Sequence, residues 1–67
     1  MPAILSEFEE KVLKYLFNRK TASTVKQIAK YFIRSESHVT TTLRRLNEKE
    51  LITVLQTGST KLYAYKD

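Results

Sequence analysis

The sequence has no cysteine, no tryptophan, a single glycine, a single proline and a single histidine. Without cysteine, neither a disulfide framework nor a thiolate zinc site can stabilise the fold, and one histidine alone cannot form a structural metal site. The chain also has no glycine-rich phosphate loop and no group of residues suited to activating a nucleophile or a metal. We therefore expect no enzymatic activity, no metal and no cofactor.

Long apolar runs are absent as well. No stretch approaches the length of a membrane span, and the first residues show no charged segment followed by a long apolar one, so we expect no membrane association and a cytoplasmic protein. With 67 residues, 42% of them hydrophobic, the chain is expected to form one small domain, 1–67. A core of this size has no room for a small-molecule ligand, so any effector pocket would have to form between subunits, and the sequence indicates no ligand.

Negative charge is scarce beyond the first ten residues. Twelve lysines and arginines face seven acidic residues, which gives a net charge of +5 and a pI near 9.7. Glu7, Glu9 and Glu10 lie close together near the N-terminus, so we expect one acidic end and a basic remainder. Such a distribution suits a protein that meets a polyanion with one side, although a solvated charged surface explains the charge equally well.

Apolar spacing and N-cap residues predict three helices, over about residues 7–19, 25–32 and 36–49. Ser6 is followed by Glu9 three residues later, which is the pattern of a reciprocal capping box. Thr24 and Gln27 repeat this pattern before helix 2, and Ser35 is the expected N-cap of helix 3. Helices 2 and 3 are therefore separated only by a tight turn.

A β-hairpin is predicted over about residues 52–66, because two segments rich in apolar and β-branched residues flank a polar turn that holds the only glycine, Gly58. Tyr63 and Tyr65 share one face of the second strand, so they are expected to pack the hairpin onto the helices rather than to stack on bases. The predicted fold class is α+β, with three helices and a C-terminal two-stranded hairpin.

The predicted third helix has an apolar side, formed by Val39, Leu43 and Leu46, and a polar side. The polar side combines short hydrogen-bonding side chains with guanidinium groups, and its residues are Ser37, His38, Thr40, Thr41, Arg44 and Arg45. This composition suits base edges and phosphates better than a protein partner or a lipid. The alternative for the two arginines is pairing with Glu48 one helical turn later, which is worth only about 0.2–0.5 kcal/mol.

Three helices followed by a hairpin, with helices 2 and 3 joined by a tight turn, resemble the winged helix-turn-helix domain of MarR- and ArsR-type transcriptional regulators. The positions that carry the resemblance are Ile28, Ala29, Phe32, Ser35, Ser37, Val39, Leu43, Leu46, Leu51 and Ile52. The chain departs from the family pattern in the turn, where Ile33 replaces the usual glycine and Arg34 the following apolar residue. Ile33 implies either ordinary backbone angles in this turn or local strain.

The resemblance implies that helix 3 enters the major groove of DNA and that the hairpin, the wing, lies against the backbone. Carried over onto this sequence, the DNA-binding residues are Arg34, Ser35, Ser37, His38, Thr40, Thr41, Arg44, Arg45, Thr57, Ser59, Thr60 and Lys61. Arg44 is the expected reader of guanine. Arg45 and Lys61 are expected at phosphates, and Arg34 either at a phosphate or in water.

The expected function is that of a sequence-specific, double-stranded DNA-binding transcriptional regulator, a repressor that acts by occupying its site. The alternative is a winged-helix module that binds another protein or RNA. A single recognition helix reads about four or five base pairs, which is poor selectivity in a genome, so we expect a homodimer. The candidate dimer interface comprises Leu13, Phe17 and Tyr31, unless these residues complete the monomer core beneath the wing.

Overall fold

The computed structural model describes residues 5–19 and 21–66. Three helices are followed by one antiparallel hairpin, in the order α1 (Glu7–Asn18), α2 (Val25–Phe32), α3 (Glu36–Glu48), β1 (Ile52–Thr57) and β2 (Thr60–Tyr65). This architecture confirms the predicted α+β fold of a winged helix-turn-helix. Within the described residues, no helix combines the length and the apolarity that crossing a bilayer requires.

Local capping determines where the first helix begins and ends. The Ser6 hydroxyl accepts the Glu9 N–H at 3.2 Å, while the Ser6 N–H donates to the Glu9 carboxylate at 3.0 Å. This is the predicted capping box, which satisfies two N–H groups that the helix itself leaves unpaired. At the other end Arg19 is extended and is the C-cap, so α1 ends one residue earlier than predicted.

The second and third helices follow the same rule. Thr24 and Gln27 form the second capping box, with hydrogen bonds of 3.0 and 3.1 Å, and α2 occupies its predicted range. The Ser35 hydroxyl accepts the His38 N–H at 3.1 Å and so starts α3. Lys49 is the C-cap of α3, which therefore ends one residue earlier than predicted.

The sequence allowed either ordinary backbone angles or local strain in the turn between α2 and α3, and the structure shows the strained backbone. Ile33 has a φ of 56° and a ψ of 54°, the left-handed region that a β-branched side chain occupies at a cost. The positive φ lets the Arg34 N–H reach the Ala29 carbonyl at 2.9 Å, which closes the end of α2. The Ile33 side chain is 89% exposed, so no burial of apolar surface compensates for the strain.

The core lies where the three helices meet the base of the hairpin. Its buried apolar residues are Val12, Leu16, Ile28, Ala29, Val39, Leu43, Leu46, Ile52 and Tyr63. Every helix and both strands contribute to it, so the apolar sides of α1, α2 and α3 face one another. The core therefore fixes the orientation of α3 about its own axis.

An isolated β-bridge attaches the hairpin to the helical body. Ser23 and Tyr63 exchange backbone hydrogen bonds of 2.9 and 2.7 Å, which pairs the α1–α2 connection with β2. Tyr63 is buried, and the Tyr65 ring packs against the Phe17 ring with centroids 4.8 Å apart. Both tyrosines therefore hold the wing to the helical body, as predicted. Gly58 has a φ of 64° in the turn that joins Thr57 to Thr60.

Candidate nucleic-acid interface

The polar side of α3 is accessible because the opposite side is buried. Val39, Leu43 and Leu46 are completely buried, and Thr42 completes this stripe by donating its hydroxyl to the His38 carbonyl at 3.0 Å. All twelve residues predicted to bind DNA are exposed. They form two groups by element, one on the α2–α3 turn and α3, and one at the tip of the wing.

Hydrogen bonds within α3 limit what its hydroxyl groups can offer to a ligand. The Thr41 hydroxyl donates to the Ser37 carbonyl at 3.1 Å, so its proton is already used and its oxygen remains an acceptor. Thr41 can therefore accept a hydrogen bond from a base amino group or touch a thymine methyl. Ser35 is exposed, but its oxygen already caps the helix, which leaves its proton as the group to donate.

The two arginines of α3 differ in their surroundings. Within residues 5–19 and 21–66, neither guanidinium forms an ion pair with Glu48, so the predicted alternative of helix-surface pairing is not observed. Arg45 lies on the side of α3 that faces α1, where its positive charge acts on the Glu9 carboxylate. Arg44 does not line that groove and has its guanidinium fork available for a bidentate contact.

An open groove separates the start of α1 from α3, and both acidic and basic side chains line it. We call it the α1–α3 groove, and its charged and aromatic residues include Glu7, Phe8, Glu9, Arg34, His38 and Arg45. The expectation of one acidic end apart from a basic remainder is therefore wrong. The fold brings the acidic start of α1 beside the first turns of α3, because Phe8 and Glu9 both contact residues beyond α2.

Phe8 organises the beginning of the predicted DNA-binding face. Its ring centroid lies 4.7 Å from that of His38 and 5.2 Å from the central guanidinium carbon of Arg34. Arg34 is thus held over an aromatic face. The stacking leaves the exposed Arg34 beside the N-terminus of α3, where backbone N–H groups attract anions.

Glu9 is a buried carboxylate that sequence reasoning assigned to capping alone. It is 4% exposed, and its oxygen accepts both the Ser6 N–H at 3.0 Å and the Lys49 ammonium at 3.4 Å. The backbone hydrogen bond from Ser6 lowers the pKa of Glu9; burial opposes this, and Lys49 and Arg45 lower the pKa further. A charged Glu9 therefore links α1 to the end of α3.

The wing tip presents small polar side chains and one lysine. Thr57, Ser59, Thr60 and Lys61 are all exposed. Lys61 lies opposite Gln56, whose side-chain amide donates to the Gly58 carbonyl at 3.2 Å and closes the turn. Such hydroxyl and ammonium donors suit the oxygens of a phosphate backbone.

The fold brings together two of the three candidate dimer residues, Leu13 and Phe17, but not Tyr31. Leu13 is half-buried against the core and lines a shallow groove with Phe17 and Tyr65. Phe17 is 62% exposed even though its ring contacts Tyr65. Tyr31 lies instead against Tyr15, which projects from a different side of α1.

Comparison with known proteins agrees with this geometry. The family model described as "Sugar-specific transcriptional regulator TrmB" matches residues 5–67. No curated protein matches the chain. The match supports the expected winged helix-turn-helix regulator, and it does not specifically show the expected resemblance to MarR- and ArsR-type regulators.

Proposed function

The chain belongs to the TrmB family of DNA-binding transcriptional regulators, and on that premise we propose that it recognises a specific duplex sequence through α3 and represses transcription by occupying that site. The observation that carries the proposal is the orientation of α3. Its apolar stripe is fully buried while its hydroxyl and guanidinium groups face outward. An exposed helix of this composition fits the major groove, whose base edges offer donors and acceptors.

Arg44 is the proposed reader of sequence. It is exposed, lies outside the α1–α3 groove and forms no ion pair within the described residues. A guanidinium in this state gives up no existing contact when it forms a bidentate pair with guanine. Thr40 and Thr41 lie on the same exposed side and are proposed to contact neighbouring bases.

The remaining predicted residues are proposed to hold the phosphate backbone. Arg34 stands at the N-terminus of α3, where the helix dipole and free N–H groups add to its charge. Lys61 and the hydroxyl groups of the wing tip supply a second line of contacts. With about four or five phosphates neutralised per subunit, the logarithm of the binding constant falls with the logarithm of salt concentration at a slope near −4.

Dimerisation is proposed through the groove of Leu13, Phe17 and Tyr65. A symmetric dimer doubles the sequence that is read and matches an inverted repeat in DNA. Tyr31, a residue of α2, is left out of this interface because it packs on Tyr15, which projects from a different side of α1 than Leu13 and Phe17. We propose no sugar ligand, since the sequence indicates no residues for one. The protein so described would act on DNA in the cytoplasm.

Selection of bound sequences from a random duplex pool tests the proposal. We expect enrichment of a motif with two inverted half-sites, each of about four or five base pairs. Duplex RNA of the enriched sequence, used as a competitor, should fail to displace the DNA, because the A-form major groove does not admit a helix. No enrichment, or equal competition by duplex RNA, would contradict sequence-specific recognition of DNA.

A further inference from the structure

A second basic surface lies on α1 and α2 and borders the predicted DNA-binding face, because Lys11 also lines the α1–α3 groove and Lys30 lies near Arg34. Its centre is Tyr31, whose side chain is 64% exposed although it is aromatic. The Tyr31 ring rests on Tyr15, with centroids 4.5 Å apart and planes tilted by 43°. Phe32 contacts both rings, with its ring centroid 4.9 Å from that of Tyr31 and 5.5 Å from that of Tyr15. The exposed ring is therefore held in place by two others.

Positive side chains flank this ring on both sides. One shallow cleft beside the two tyrosines includes Lys11, Lys14 and Asn18. The other includes Arg19, Gln27 and Lys30. Among the described residues, no carboxylate lines either cleft. We call the two tyrosines and these six residues the Tyr31 surface.

The cations of the Tyr31 surface are only weakly engaged within the protein. Lys11 lies 3.9 Å from Glu7, but both side chains are largely exposed, so the pair contributes little. The Arg19 guanidinium lies 5.1 Å from the centre of the Tyr15 ring, which positions it without neutralising its charge. Lys14 and Lys30 form no ion pair within residues 5–19 and 21–66. Four positive charges consequently remain available to a negatively charged partner.

None of the twelve residues predicted to bind DNA lines either cleft. The recognition of duplex DNA proposed above makes no use of Tyr31 or Lys30. The Tyr31 surface therefore has no role in the proposed duplex recognition, and its composition indicates which class of ligand it fits. Cations alone suit any polyanion, whereas an exposed ring with a supporting ring beneath it suits a flat apolar group.

We propose that the Tyr31 surface binds single-stranded nucleic acid. An unpaired base stacks on the exposed face of Tyr31, and Lys14, Lys30 and Arg19 hold the phosphates on either side. The amides of Asn18 and Gln27 stand where they can bond to base edges. A duplex does not present its base faces, and an acidic peptide has no such faces, so neither uses the tyrosine.

Fluorescence anisotropy with labelled oligo(dT) and oligo(rU) of about 15 nucleotides tests this surface and shows which sugar it accepts. The unlabelled competitors are polyglutamate and a duplex without the selected motif. Tyr31→Ala removes the ring, whereas Tyr31→Phe keeps it and serves as the matched variant. Leu55→Ala removes an exposed apolar side chain from the wing and is the control on another face.

We expect Tyr31→Ala to weaken single-strand binding roughly 5- to 150-fold, the loss that corresponds to one stacked base. Tyr31→Phe and Leu55→Ala should remain within about twofold of the wild type. Affinity for the selected duplex should not change in Tyr31→Ala, so failure of this proposal is distinguishable from failure of duplex recognition.

The proposal is overturned if Tyr31→Ala binds oligo(dT) and oligo(rU) as tightly as the wild type. Equal losses in Tyr31→Ala and Leu55→Ala would also overturn it, because they would place the strand elsewhere. The proposal is also overturned if polyglutamate displaces the labelled strand as efficiently, per negative charge, as unlabelled single strands do. That result would show that the surface binds by charge alone. Circular dichroism of each variant establishes that the helices are retained.

Discussion

The carboxylate of Glu9, in the first turn of α1, lies 3.4 Å from the ammonium group of Lys49, at the end of α3. Forty residues separate the two partners, and the same carboxylate oxygen also accepts the Ser6 N–H. One side chain therefore both caps α1 and ties it to the recognition helix. The position of α3 relative to the body depends in part on the charge of Glu9.

Glu9→Gln tests this link through the pH dependence of stability. The pKa of Glu9 is lowered in the folded protein, first by the Ser6 hydrogen bond, so the charged carboxylate stabilises the fold at pH values above the unfolded pKa. This contribution is lost as the pH falls through the lowered folded pKa. We expect Glu9→Gln to lose about 1 kcal/mol at pH 7, a modest figure because Lys49 is partly solvated.

Urea unfolding at pH 7 and at pH 3 measures the effect. Wild type and Glu9→Gln should differ most at pH 7, and the difference should shrink toward pH 3, because the contribution is lost as the pH falls through the lowered pKa of Glu9. Glu7→Gln is the matched control, because Glu7 is exposed and the substitution removes only its ion pair with Lys11, in which nitrogen and oxygen are 3.9 Å apart. An equal loss in both variants, or a difference that grows toward acid, would refute the assigned role of Glu9.

Ile33→Gly should stabilise the protein. Ile33 occupies the left-handed region, and its side chain is 89% exposed, so the substitution relieves strain and sacrifices little burial. We expect a gain of about 1 kcal/mol, which raises the melting temperature by about 4–8 °C in a domain of this size. Ile33→Ala keeps a Cβ atom and should gain less. A lower melting temperature for Ile33→Gly would show that the side chain has an unrecognised stabilising contact.

Arg44→Ala and Lys61→Ala should weaken DNA binding in different ways. Loss of Arg44 should relax preference at one base position by roughly 5- to 150-fold, whereas loss of Lys61 should weaken all sequences alike and reduce the salt slope by about 1. Arg44→Lys keeps the charge but not the bidentate fork, so it should also lose base preference. Titration of the selected duplex and of single-base variants provides the measurement. Uniform losses in all three proteins would remove Arg44 as the reader.

The dimer interface is tested by sedimentation of substituted proteins. Leu13→Asp/Phe17→Asp should give a folded monomer, because two carboxylates would lie in the apolar groove shared by the subunits. Since Leu13 also touches the core, Phe17→Asp alone is the safer variant, and it should weaken the dimer. Tyr31→Ser, a substitution in α2 outside this groove, should leave the mass of the dimer unchanged. A stable dimer of Phe17→Asp would place the interface elsewhere.

Local features of the fold were predictable from sequence, and contacts between distant segments were not. Ser6, Thr24 and Ser35 identify helix starts because capping involves residues only three positions apart. The ends of α1 and α3 were placed one residue late, because Arg19 and Lys49 continue the helical composition although they are caps.

In the candidate site, too, local features were predictable from the sequence and contacts between distant segments were not. Spacing placed the polar side of α3 correctly relative to its apolar stripe, since both are set by the helical period. The contacts of Phe8 with His38 and of Glu9 with Lys49 depend on how α1 crosses α3. No sequence spacing encodes that crossing, so the position of the acidic start of α1 beside basic residues of α3 was not predictable from the sequence.

Amide chemical shifts of isotopically labelled protein, followed as the selected duplex is added, test the central claim most directly. If α3 lies in the groove of the duplex, the largest shifts will fall in residues 36–45 and at the wing tip, 57–61. The Tyr31 surface should change little with a fully paired ligand. Unchanged shifts in 36–45, with the changes concentrated on α1 and α2, would contradict the account of α3 as the recognition helix.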